Sequence, residues 1–207
     1  VSNREKMLRR QVLRMLGVPA PQYFAAKHRA RIRKTVTNDN GTSAGTATGF
    51  GNPQAKTGYS FNMKIDWESC TNFFPAFEME STGEMKVHLP ELKWKNQIIP
   101  PKNTGSAVLT LIAISADFNK ESVQVKELAK LEFDVSWISA VPSQDWIFPV
   151  DAAGGWLLII GCLKFAAPNQ SSVIKDAFSA AYLWACMLGE LQAVCTQMNT
   201  RLSKLEG

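Results

Sequence analysis

The stretch AVLTLIAISADF, residues 107–118, carries apolar side chains at positions that face both sides of a strand. A strand of this kind is buried on both faces and belongs at the centre of a sheet. A second run, GWLLIIGCLKF at residues 155–165, has the same character. Both runs are far shorter than the roughly 20 apolar residues of a membrane-spanning helix. We therefore predict two central β-strands and no membrane span.

Shorter strand patterns surround these two runs. Residues 58–66, GYSFNMKID, alternate between apolar and polar side chains, as does KLEFDVSW at 130–137. Residues 76–90, AFEMESTGEMKVHLP, predict a hairpin that turns at 81–83. The run DWIFPV at 145–150 contains Pro149, which favours an edge strand. Together these patterns predict an α+β protein with an antiparallel β-sandwich-like core over residues 58–168.

The amino-terminal residues favour helices. In SNREKMLRRQVLRMLG, residues 2–17, Leu8, Val12, Met15 and Leu16 form one apolar stripe. Residues 23–34, YFAAKHRARIRK, favour a second short helix. We predict that residues 1–34 form a basic helical arm. Residues 35–57 are rich in Gly, Thr and Asn and are interpreted as a linker.

At the carboxyl end the apolar residues recur in alternating steps of three and four. This spacing is typical of a coiled-coil helix, and it predicts a long C-terminal helix over residues 171–207. The apolar positions are Ile174, Ala177, Ala181, Trp184, Leu188, Leu191, Cys195, Met198, Leu202 and Leu205. We predict a subunit contact through Leu188, Leu191, Cys195, Met198, Leu202 and Leu205.

Positive charge is concentrated at the amino terminus. The chain has a net charge of +5, yet residues 1–34 hold ten Lys or Arg and one Glu. This asymmetry indicates sequence-independent binding of nucleic acid through its phosphates, or contact with an acidic surface of a neighbouring subunit, and the third interpretation is a solvated charged face with no specific partner. The predicted contact residues are Arg9, Arg10, Arg14, Lys27, Arg29, Arg31, Arg33 and Lys34.

The chain lacks a recognisable catalytic or metal-binding pattern. Gly45, Gly49 and Gly51 match no phosphate-loop motif. His28 and His88 stand apart from any spaced cluster of Cys, Asp or Glu. The four cysteines form no C-x-x-C pair and suggest neither a disulfide framework nor a zinc site. We predict no enzyme activity, cofactor or metal, and a reducing location, either cytoplasmic or within an assembled particle.

Part of the middle of the chain resembles a known group of proteins. The stretches FPAFEMESTGEMKVHLPELKW (74–94) and IPPKNTGSAVLTLIAISADF (99–118) are similar to uncharacterised β-rich proteins of Bacteroidetes. Some of those proteins are associated with phage or mobile elements. The resemblance covers roughly residues 74–167 and rests on the order of strands and on the LPELKW and PPKNTG connectors. It implies no activity, and it transfers no functional residue.

These patterns favour a non-enzymatic structural protein. We predict an assembly subunit of a virion, a phage particle or another large complex, forming a homo-oligomer or larger assembly. The alternative is a ligand-binding β-sandwich module, with carbohydrate as the ligand. In that alternative Trp67, Trp94 and Trp146, near predicted strand ends, would stack against sugar rings.

Overall fold

The computed structural model describes residues 2–18, 20, 23–37, 53–62, 64–80, 83–117, 120–134, 140–150, 155–168 and 173–188. Its helices are α1 (Ser2–Leu16), α2 (Phe24–Thr37), a 3₁₀ turn (Pro53–Lys56) and α3 (Trp67–Cys70). Its strands are β1 (Ala76–Met79), β2 (Glu84–Leu89), β3 (Leu92–Lys93), β4 (Ser106–Asp117), β5 (Ser122–Asp134), β6 (Ala140–Val141), β7 (Gln144–Pro149), β8 (Trp156–Ala166) and β9 (Val173–Met187). None of the described helices is long and apolar enough to cross a membrane.

The largest sheet has the strand order β5-β4-β8-β9, with antiparallel neighbours throughout. The two apolar runs, β4 and β8, occupy its centre, which confirms their prediction as central strands. Alternate residues of β8 enter different cores: Leu157 and Ile159 face one side, and Leu158 and Ile160 face the other. Both faces of this central sheet are therefore covered, which explains why β8 is apolar along nearly its whole length.

A second antiparallel sheet, with the order β1-β2-β7, packs against one face of the central sheet. The predicted hairpin at 76–90 forms, and Met85, Val87 and Leu89 enter the core between the two sheets. Strand β7 pairs with β2 at the edge of the second sheet, as Pro149 predicts. The prediction of a β-rich, sandwich-like core of antiparallel sheets is thus confirmed in its general form.

Helices α1 and α2 cover the other face of the central sheet. Leu8, Val12 and Leu16 of α1, with Phe24 and Ile32 of α2, are buried against β4, β8 and β9. Each such side chain contributes about 2 kcal/mol through removal of apolar surface from water. Met15, predicted in the stripe of α1, is instead exposed. The segment predicted as an arm is helical, and its described residues form a third layer of the fold, which we call the helical layer.

The prediction of a C-terminal helix is wrong for residues 173–187, which form strand β9. A bulge in β9 explains the error, because the register with β8 shifts between Tyr182 and Trp184. The shift places Ala177, Ala181, Trp184 and Leu188 on the same side, facing the core between the sheets. A bulged strand therefore reproduces the steps of four, three and four that were interpreted as a heptad.

The remaining C-terminal prediction falls largely on residues that the structure does not describe. Leu188 is 3% exposed within the core of its own chain, so it is not available for the predicted subunit contact. The other predicted contact residues lie outside the described residues, and their role stays a prediction: Leu191, Cys195, Met198, Leu202 and Leu205.

Two further boundaries differ from the sequence prediction. Helix α2 continues to Thr37, and residues 53–56 of the predicted linker form a 3₁₀ turn whose Lys56 is fully buried. Residues 38–52 of that linker lie outside the described residues. The strand predicted at 58–66 is reduced to a short edge beside β9, where Ser60 bridges to Ala181.

Candidate nucleic-acid interface and its buried anchor

The outer side of α1 carries a row of exposed cations. Lys6, Arg10 and Arg14 are all exposed and recur every four residues. Four residues of α-helix rise about 6 Å, so the three side chains form one line, which we call the basic row. The row lies opposite the buried stripe of Leu8, Val12 and Leu16. Sequence reasoning identified Arg10 and Arg14 and missed Lys6, although the spacing of four indicated it.

The cations of α2 are less uniform. Lys27 is exposed, Arg29 is 44% exposed at its side chain, and Arg31 is partly buried and donates to the carbonyl oxygen of Thr57 at 3.3 Å. The side chains of Arg33 and Lys34, also predicted as contacts, lie outside the described part of the structure. The predicted cations of α2 are therefore only partly available to a partner.

Arg9 and Arg29 point toward the seam between the two helices. Arg9 Nε donates to Glu5 Oε1 at 2.9 Å, and Arg29 Nε lies 4.0 Å from Glu5 Oε2. Glu5 is the one carboxylate within residues 1–34, and it is buried. Hence no carboxylate of α1 or α2 reaches solvent, and the outward charge of the described helical layer is positive.

Glu5 belongs to a buried polar chain that joins both helices to the sheet. His28 Nδ1 lies 3.0 Å from Glu5 Oε1, and His28 Nε2 lies 2.9 Å from the Tyr182 hydroxyl. Each of the three side chains is about 1% exposed. Glu5 continues the buried stripe of α1, and His28 lies between Phe24 and Ile32 in that of α2. We call Glu5, His28, Tyr182 and the neighbouring Lys56 the buried anchor.

One protonation state satisfies this chain of hydrogen bonds. Burial lowers the pKa of His28 to about 4, against the opposing effect of Glu5, so the imidazole is neutral at pH 7. Burial also raises the pKa of Tyr182 well above its usual value, so its hydroxyl keeps its proton. His28 Nδ1–H then donates to Glu5, and Nε2 accepts from the Tyr182 hydroxyl.

Glu5 itself is held as a carboxylate. Its burial acts to raise its pKa, but the hydrogen bonds from His28 and Arg9 outweigh burial, and the net effect is a lowered pKa. An ionised acceptor makes the stronger hydrogen bond to a neutral donor. The helix pair is thus fixed to the sheet by a chain of hydrogen bonds from the Tyr182 phenol to the neutral His28 imidazole and from that imidazole to the Glu5 carboxylate.

Lys56 completes the buried anchor in an unusual environment. Its ammonium nitrogen lies 4.8 Å from the ring centre of Trp156 and 5.3 Å from that of Tyr182. Among the described residues, no hydrogen-bond acceptor reaches this nitrogen. Burial lowers the pKa of Lys56 to about 7, although the Glu5 carboxylate acts in the opposite direction. The aromatic faces offset part of the cost of burying the cation.

Other candidates for chemistry are weaker. The described residues contain no cluster of three or more His, Cys, Asp or Glu side chains that could hold a metal ion. His88 and Asp145 form an exposed cross-strand pair, and the hydrogen bond from His88 lowers the pKa of Asp145. Burial raises the pKa of Cys162 to about 12, which keeps its thiol protonated and unreactive.

The tryptophans proposed for sugar stacking lie mainly in the core. Trp67 and Trp94 are 7% and 3% exposed, and Trp146 is half-buried against the same core. Neither Trp67 nor Trp94 therefore presents an open ring face. A groove of about 150 Å³ opens between the sheets, and none of the three tryptophans is among its described lining residues.

Comparison with known proteins finds no matching family model and no matching curated protein.

Proposed function

We propose that this protein is a non-enzymatic assembly subunit whose helical layer binds the phosphate backbone of nucleic acid. The observation that carries the proposal is the basic row of Lys6, Arg10 and Arg14 on a surface where the only carboxylate of the two helices is buried. Phosphate groups bind such rows without regard to base sequence, because the contacts involve charge alone.

The packing of the helical layer against the sheet supports the same function. Side chains that project from a docked helix keep a fixed spacing, whereas those of a free arm must be ordered when the partner binds. The buried anchor holds α1 through Glu5, and the apolar stripe holds it through Leu8, Val12 and Leu16. The basic row thus meets its ligand with little loss of backbone conformational entropy.

The proposal is tested by binding of fluorescent mixed-sequence RNA and DNA duplexes to purified protein at low salt. In the row variant, Lys6→Gln, Arg10→Gln and Arg14→Gln are combined. Glutamine keeps the helix propensity of each position and removes the charge. We expect the row variant to lose at least tenfold in affinity for every sequence tested.

A matched control removes the same charge elsewhere. Lys93, Lys102 and Lys120 are exposed and lie outside the helical layer. The control variant, with all three replaced by Gln, has the same net charge as the row variant and should bind nearly as well as wild type. Equal loss in both variants would show an effect of net charge alone, and full binding by the row variant would exclude the proposed surface.

A further inference from the structure

Strand β5 forms a long edge of the central sheet. It has 13 residues, pairs with β4 on one side, and pairs with no described strand on the other. The open side of an edge strand presents backbone N–H and C=O groups that can pair with another strand. Proteins commonly protect such edges with charged side chains, and β5 carries Lys126, Glu127, Lys130 and Glu132.

A bulge divides β5 into two halves whose side chains alternate out of phase. Leu111 pairs with Ala129, but Ile112 pairs with Glu127, so Leu128 is the extra residue. Before the bulge, Val123 and Val125 face the helical layer. After it, Leu131 and Phe133 face the core between the sheets, which leaves Lys130 and Glu132 on the side of the helical layer.

These faces restrict how β5 could pair with an identical strand. In an antiparallel pair, two residues that lie directly opposite each other have their side chains on the same face of the sheet. When a two-fold axis relates the two strands, this condition must hold for every opposed pair. An axis midway between Leu128 and Ala129 sets the two bulges opposite each other, so the faces match along the whole strand. Two-fold registers that pair residues on both sides of the bulge about any other axis set a bulge against a regular stretch and mismatch faces, and registers centred within one half pair at most the seven residues 122–128.

The same register also matches charge. It places Glu127 opposite the partner's Lys130, and Lys130 opposite the partner's Glu127, on the side of the helical layer. Opposite charges directly across an antiparallel pair stabilise the pairing, and like charges weaken it. The register that pairs the whole strand thus also pairs opposite charges.

We propose that β5 pairs with β5 of a second copy of this chain about this axis, joining two central sheets into one continuous sheet. The inference deepens the proposed assembly role and rests on it, since it names the subunit contact. Pairing of this kind gives an isologous dimer, whose two basic rows are related by the same two-fold axis.

The test is the native mass after nuclease treatment, measured by sedimentation over a range of concentrations. In the dimer, each of the single variants Glu127→Lys and Lys130→Glu sets two side chains of like charge opposite each other at both 127–130 pairs. We expect each to weaken the dimer on the order of tenfold. The combined variant Glu127→Lys/Lys130→Glu restores both pairs and should regain most of the affinity. Glu91→Lys, on an exposed residue outside β5, is the matched control.

A second measurement does not depend on the variants folding well. Amide hydrogen exchange across residues 122–134 of wild type should slow as protein concentration rises through the dimerisation range. A wild-type protein that stays monomeric, or a dimer that both single reversals leave intact, would overturn the inference. A monomer that still binds nucleic acid through the basic row would overturn the strand pairing and leave the proposed phosphate binding standing.

Discussion

Replacement of Lys56 by Met tests the buried anchor through its effect on stability. Burial lowers the pKa of Lys56 from 10.5 to about 7. At pH 7 this difference corresponds to about 4 kcal/mol of destabilisation of the folded state. Methionine keeps most of the side-chain volume between Trp156 and Tyr182 and removes the charge. We therefore expect Lys56→Met to raise the free energy of unfolding at pH 7 by about 3 kcal/mol. The gain is smaller than the cost of burying the charge because the contact between the cation and the aromatic rings is lost.

The pH dependence gives the sharper readout. Because the folded pKa of Lys56 is depressed, the folded state binds fewer protons than the unfolded chain between pH 7 and pH 10.5. The contribution of Lys56 to stability then rises with pH across this range, by about 2 kcal/mol between pH 7 and pH 9. The rise should be absent in Lys56→Met. Urea denaturation at both pH values, followed by tryptophan fluorescence, measures it directly.

Lys102→Met provides the control, since Lys102 is exposed. It should leave both the stability and its pH dependence close to those of wild type. If Lys56→Met is destabilised at pH 7, or if it keeps the rise between pH 7 and pH 9, then Lys56 does not titrate as a buried amine and the account of the anchor fails.

Other predictions concern the same layer and its sheet. The lowered pKa of His28 means that stability present above pH 6.5 is lost as pH falls toward 4, by about 3 kcal/mol; His28→Gln should flatten this acid limb in urea titrations. Tyr182→Phe leaves His28 Nε2 buried without its donor, and thermal unfolding should show a loss of about 1–3 kcal/mol. A Cβ at Gly161 would lie 2.5 Å from Trp67 Cη2, so Gly161→Ala should cost about 1–3 kcal/mol by urea denaturation, and adding Trp67→Phe should recover part of that loss.

The strands that could be predicted from sequence are those whose pattern has one interpretation. The hairpin at 76–90 alternates on one face and turns at Gly83, which adopts a positive φ. The apolar runs of β4 and β8 are too short for a membrane-spanning helix and too apolar for an edge strand of a sheet. In these segments local pattern and tertiary environment agree, so the pattern is sufficient.

Strand β9 could not be predicted because two signals favoured a helix. It is buried on both faces and rich in Ala, a strong helix former, and periodicity alone does not separate a buried strand from a buried helix. The bulge near Leu183 then produced a helical spacing on one face. Pairing with β8 along the whole strand outweighs the local preference, and no local pattern encodes that pairing.

The candidate site was predicted in part. The excess of cations at the amino terminus was evident, but their roles were not. Arg9 was predicted to contact a partner, whereas its side chain donates a hydrogen bond to the buried Glu5. Neither Lys56 nor Tyr182 was singled out. Their contacts join residues up to 154 positions apart, beyond the reach of any spacing argument.

The central claim is that the basic row binds phosphate groups while the helical layer stays docked on the sheet. The salt dependence of duplex DNA binding tests it most directly, because each phosphate contact contributes about 0.9 to the slope of log affinity against log salt. The account predicts a slope shallower by about 2.7 for the row variant than for wild type, with the control variant unchanged. Equal slopes for wild type and the row variant, or wild-type binding that ignores salt, would contradict it.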